Sequence, residues 1–115
     1  MSGEKDSLVA LWTSGDREVA SNMLFMYLLT SKKRGWWDEI TLVLWGPSQA
    51  LALDDEEVKE GLIEMREEGV KLEACVTCAK KYGVVNDLED LGIDVYGMGE
   101  PLTKYLKGDK KVITL

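Results

Sequence analysis

The chain has 115 residues, 45% of them hydrophobic and 30% charged, a balance that suits one soluble globular domain, residues 1–115, and is too short for two. Its formal net charge of −7 argues against direct binding to a bare nucleic-acid backbone, which needs clustered Lys and Arg. There is no histidine, so Ser-His-Asp, Cys-His and His-metal schemes within one chain are excluded.

The opening Met1-Ser2-Gly3-Glu4-Lys5-Asp6 is polar and has no apolar signal core. No apolar run approaches the about 18 residues that a membrane span needs. A cytoplasmic protein is expected.

Leu8–Thr13 is a continuous apolar run ending in Ser14-Gly15-Asp16, the pattern of a strand covered on both faces. Asp16 is a good N-cap, and Val19, Met23, Met26, Tyr27 and Thr30 recur at helical spacing, which predicts a helix from Arg17 to about Lys33 with that stripe inward. Lys32, Lys33 and Arg34 suit its C-terminus, and Gly35 stops it. Trp36-Trp37 follows, an aromatic pair that either plugs the sheet edge or anchors a subunit interface.

Ile40–Trp45 is a second apolar strand closed by Gly46-Pro47-Ser48, with a short helix or turn over Ser48–Leu53. Asp54-Asp55-Glu56-Glu57 fits the start of a helix rather than a metal site, because consecutive carboxylates there match the helix dipole. Val58, Leu62 and Met65, with Ile63 beside them, form its apolar stripe and Gly69 ends it. Val70, Leu72 and Ala74 alternate with Lys71 and Glu73 as a third strand, which runs into Cys75-Val76-Thr77-Cys78 and a short helix closed by Gly83. An Asn- or Asp-capped helix over 84–92, a strand Ile93–Tyr96, the turn Gly97-Met98-Gly99, a helix opened by Glu100-Pro101 and a last strand Lys111–Leu115 complete the chain. Leu102, Tyr105 and Leu106 are its expected apolar face.

Strands and helices alternate with short connections, which predicts a three-layer α/β/α sandwich around a five-stranded parallel sheet. In such sheets ligands collect at the carboxyl ends of the strands. The strand-end residues Ser14, Gly15, Gly46, Pro47, Ser48, Gly97 and Met98 are therefore the expected pocket wall, and Cys75 and Cys78 the reactive groups. No Gly-rich phosphate motif is present, and no cofactor or metal is expected.

The only two cysteines, Cys75 and Cys78, are half of a zinc set. Four readings stay open: oligomer-bridged zinc, a dithiol redox pair, a persulfide carrier, and two inert buried thiols. Position favours Cys75 as the more reactive thiol, at a strand end before a helix, where the dipole favours thiolate. Cys78, a turn into the helix, reads as packing toward the sheet.

Trp45-Gly46-Pro47-Ser48 after the second strand, Gly69-Val70-Lys71-Leu72-Glu73-Ala74-Cys75 on the third, Lys80-Lys81-Tyr82-Gly83-Val84, and the close from Gly99-Glu100-Pro101-Leu102-Thr103-Lys104-Tyr105-Leu106 to Lys111–Leu115 together resemble the DsrE/DsrF-like family of small sulfur-relay proteins. The resemblance spans nearly the whole chain. It implies a five-stranded parallel α/β sandwich, a homotrimer or homohexamer, a sulfur donor or acceptor protein as partner, and a persulfide on the cysteine that ends the third strand, matched here by Cys75. Cys78 has no counterpart in the members that act in tRNA thiolation, which leaves open a disulfide-resolving role. A persulfide carrier needs a thiolate and no separate acid and base, so the lack of histidine is no obstacle. The rival from another class is a non-catalytic oligomeric binding module with a strand-end pocket.

Overall fold

The computed structural model describes residues 6–115; the polar opening, residues 1–5, lies outside them. Strands β1 (Ser7–Trp12), β2 (Glu39–Leu44), β3 (Lys71–Cys75), β4 (Asp94–Tyr96) and β5 (Lys111–Thr114) form one sheet in the order β4-β3-β2-β1-β5. Every pairing is parallel, as the sequence predicts. Interior β1 pairs Val9 with Thr41 on one side and with Val112 on the other. Strand ends move by a residue: β2 stops at Leu44, and Trp45 leaves the ladder to begin the turn into the next helix.

Between β1 and β2 run α1 (Arg17–Val19), a π-helical segment (Ala20–Phe25) and α2 (Met26–Lys33). Helices α3 (Pro47–Asp54) and α4 (Glu56–Glu67) join β2 to β3; α5 (Val76–Tyr82) and α6 (Val85–Asp90) join β3 to β4; α7 (Gly99–Lys107) joins β4 to β5. The walk β1-β2-β3-β4 steps in one direction, so right-handed crossovers put all its helices on one face. The step from β4 to β5 runs back across the sheet, and the same rule puts α7 on the opposite face.

Side chains follow that division. Leu8, Ala10 and Trp12 of β1 face a large core with Leu42, Leu44, Leu72 and Ala74, closed by Leu24, Phe25 and Leu28, by Val58, Leu62 and Met65, and by Ala79 and Leu88. The alternate residues Val9, Val43 and Cys75 face a smaller core with Met98, bordered by Tyr105.

The first helix turns a different face inward than the spacing predicts. Ala20, Leu24, Phe25, Leu28 and Ser31 are buried, while Met23 and Met26 are 44% and 61% exposed. Two neighbouring stripes both read as apolar in this run, and the π segment adds a residue to the turn between them. The end is as expected: Gly35 at φ +70° lets the Trp36 amide donate to the Ser31 carbonyl, a Schellman closure.

Asp55 caps α4, accepting from the Glu57 and Val58 amides, and Arg17 clamps it at 2.6 Å. The Val58 amide, with the Arg17 guanidinium behind it, holds the Asp55 carboxyl below its usual range against the effect of burial. Helix α6 lacks the expected Asn or Asp cap. Its N-cap is Val84, because the Gly83 closure of α5 leads straight into it and Asn86 and Asp87 are already helical. On α7, Leu106 is 62% exposed rather than inward; Leu102 and Tyr105 are the half-buried ones.

Candidate functional site

Cys75 is the last residue of β3 and the N-cap residue of α5, in extended backbone that still belongs to the strand. Strand alternation aims Lys71, Glu73 and Cys75 at the α7 face. Cys75 is 5% exposed and packed with Val9, Val43 and Met98; Leu11, Trp45, Cys78, Tyr105 and Val112 border the cluster. Cys78 is the third residue of α5 and returns its sulfur to the same cluster, partly exposed where Cys75 is buried.

The two thiols are neighbours in this cluster. Burial, and then the contact with Cys75, push the Cys78 thiol up from its ordinary value, while the Gly46 amide and the charge of Lys81 pull the other way. Lys80 and Lys81 are both exposed. Gly46 can aim its amide there because it sits at φ 80°, ψ −137°, a conformation that favours glycine.

The expected wall residues divide. Met98 lies against Cys75, and Gly46 acts on the Cys78 thiol by opposing the upward push of burial. Gly15 and Pro47 bring the β1 and β2 end loops together: a Cβ on Gly15 would stand 3.1 Å from the Pro47 Cβ. Ser48 is fully buried and serves the scaffold, donating to the Trp12 carbonyl at 2.6 Å and accepting from the Trp45 amide. Ser14 accepts from the Asp16 amide at the helix start, and Gly97 is exposed beside Met98.

Side chains that sequence reasoning did not assign to the site complete the surroundings. Gln49 is fully buried, and its Nε2 donates to the carbonyls of Leu44 (3.1 Å) and Cys75 (3.0 Å), tying the ends of β2 and β3 together. Glu73, two residues before Cys75 on the same face, is also fully buried. It accepts from the Tyr105 hydroxyl at 2.7 Å and from the Tyr96 hydroxyl, and Lys71 Nζ stands 3.2 Å away. Burial, and then the bond to Glu73, push the Tyr96 phenol up to about 12 and raise Tyr105 as well. The signal available in the chain was the Glu73-Ala74-Cys75 spacing, which puts a carboxylate and the thiol on one face.

Topology singles out this edge. The chain leaves β3 toward one face and β4 toward the other, so the crevice between their carboxyl ends is the switch point of the sheet. Cys75 and Tyr96 are register partners there.

The DsrE/DsrF-like family matches residues 7–115. The chain belongs to the DsrE/DsrF-like family. Among solved structures, this DsrE/DsrF-like chain is similar to BT1422, a conserved protein of unknown function from Bacteroides thetaiotaomicron, at 43% identity and a TM-score of 0.93, covering 96% of this chain and 95% of that one. The fold is shared with MTH1491, a protein of unknown function from Methanobacterium thermoautotrophicum (19% identity, TM-score 0.72), and with the ychN protein from E. coli (18%, 0.69); each likeness covers 97% of this chain and 100% of the other. No curated protein matches the chain. Among the described residues, no helix is long and apolar enough to cross a membrane.

Proposed function

We propose that this DsrE/DsrF-like protein carries sulfane sulfur as a persulfide on Cys75 and exchanges it with a partner protein, working as a homotrimer or homohexamer. The observation that carries this reading is a cysteine at the switch point of the sheet, its thiol beside a second one and inside an apolar cluster. The apolar wall of Val9, Val43 and Met98 suits the polarisable outer sulfur of a persulfide and keeps competing water-borne thiols away from it. Transfer is attack of a thiolate on sulfane sulfur with a thiolate leaving, which needs no histidine.

Intact-mass spectrometry after incubation with glutathione persulfide, followed by a wash with a small thiol, tests the reading. The wild type and Cys78→Ser should each retain about one sulfur, and Cys75→Ser none. The adjacency of the two thiols also supports a second reading, a dithiol redox protein. In that case either substitution abolishes turnover, because the disulfide needs both sulfurs. A wild-type protein that takes up no sulfur overturns the carrier reading.

A further inference from the structure

The two thiols are unequal in a way that sulfur transfer cannot ignore. An incoming thiolate or persulfide must approach the attacked sulfur in line with the bond that breaks, so one side of that sulfur has to be open. Cys75 is 5% exposed, with Val9, Val43 and Met98 against it. Cys78 is partly exposed and packs against the same cluster, so the two neighbouring sulfurs differ in their access to solvent. Lys81, three residues on and exposed, carries a positive charge that opposes the upward push of burial on the Cys78 thiol.

Building on the carrier reading, we infer that Cys78 is the port through which sulfur enters and Cys75 the store that holds it. In the first step the Cys78 thiolate attacks the outer sulfur of the donor persulfide. A bond forms between Cys78 Sγ and that sulfur, the donor's S–S bond breaks, and the donor leaves as a thiolate. In the second step Cys75 gives its proton to a base or to water and attacks the same outer sulfur. The Cys78–sulfur bond breaks, and the Cys78 thiolate recovers a proton. One sulfur has moved, no electrons have been lost, and no oxidant is required. The place of both thiols in one cluster makes the second step intramolecular, which raises its effective concentration far above that of any free thiol. A store behind a port keeps the persulfide from small thiols, which a single exposed carrier cysteine could not do.

The test is a loading time course with glutathione persulfide, stopped by alkylation, with the sulfur located by fragment-ion mapping of the peptide holding both cysteines. In the wild type the sulfur is expected first on Cys78 and later on Cys75. In Cys78→Ser and Cys78→Ala, Cys75 is expected to load about tenfold or more slowly, since it must wait for a local opening. In Cys75→Ser, sulfur should reach Cys78 and be lost to a thiol wash. If the earliest sulfur is on Cys75, or both Cys78 variants load at the wild-type rate, the port is overturned while the carrier reading stands. Closure of a Cys75–Cys78 disulfide with release of sulfide also overturns the relay, because the inner sulfur has then been attacked. A wild type that never loads removes the carrier and the port together.

Discussion

Glu73 has no exposed surface, yet its carboxylate meets two phenol hydroxyls and an ammonium group. Three donors converge on this one buried carboxylate, and burial together with its charge holds protons on the tyrosines. The folded state thus binds the Tyr96 proton more tightly than the unfolded chain, whose phenol titrates near 10.0. This stabilising contribution is fully present below pH 10.0 and is lost as pH rises through about 12. We predict that Glu73→Gln lowers the Tyr96 titration from about 12 toward 10.0, because the charge is gone while the burial stays. Ultraviolet titration of tyrosinate in wild type, Glu73→Gln and Tyr96→Phe measures it. An unmoved high-pH tyrosine in Glu73→Gln refutes the pairing. The two cysteines were legible as residues because nothing else in the chain is so unusual. Glu73 was not, because Lys71 and Glu73 alternating with Val70, Leu72 and Ala74 reads as a solvent-facing edge. The crossover that lays α7 over that face is a long-range fact that no local pattern carries.

At the scale of elements, the first helix and α4 meet through a missing side chain. A Cβ on Gly61 would stand 2.6 Å from the ring of Phe25, and that ring is held edge-on against Trp12 at 6.0 Å between centroids. Mid-helix Gly→Ala ordinarily gains up to about 1 kcal/mol of helix propensity. Here the added methyl has no room, and overpacking costs about 1–3 kcal/mol. Gly61→Ala is therefore expected to destabilise, and Gly61→Ala with Phe25→Leu to recover part of the loss; urea midpoints for the two variants settle the sign. A Gly61→Ala protein more stable than wild type would mean that the ring moves freely. Helix existence and order were readable here, as were the start at Asp16 and the stop at Gly35, which act within a turn of themselves. The inward face was not, because Ala20-Leu24-Leu28 and Met23-Met26-Tyr27 are equally apolar to a periodicity argument. Which stripe goes inside is decided by the sheet and α4.

The stripe that stays outside bears on the whole molecule. Met23, Met26 and Trp36 are 44%, 61% and 53% exposed, and with Asn22, Tyr27 and Thr30 they line an open groove of about 330 Å³. Arg34 lies over the Trp36 ring at 5.9 Å. Of the other tryptophans near the surface, Trp37 is half-buried, its Nε1 donating to the Tyr27 hydroxyl at 3.0 Å, and Trp45 borders the Cys75 cluster. Trp36 is the one left in the open. The alternation of elements made the sheet and its parallel strands legible, since each is a local pattern repeated. What covers an outer apolar stripe is not written in one chain's periodicity. Burying large apolar side chains is worth about 1.5–3 kcal/mol each. Three or four of them on one patch suit the core of an interface, which needs about 1,000 Å² in total. We expect light scattering at micromolar concentration to report a trimer or hexamer. Met26→Ser with Trp36→Ser should lower the assembled mass while leaving the far-ultraviolet circular dichroism unchanged, since neither side chain enters the core. A wild-type monomer removes the assembly. An assembly whose mass the double variant does not alter places the interface on another face, leaving the groove to a different partner.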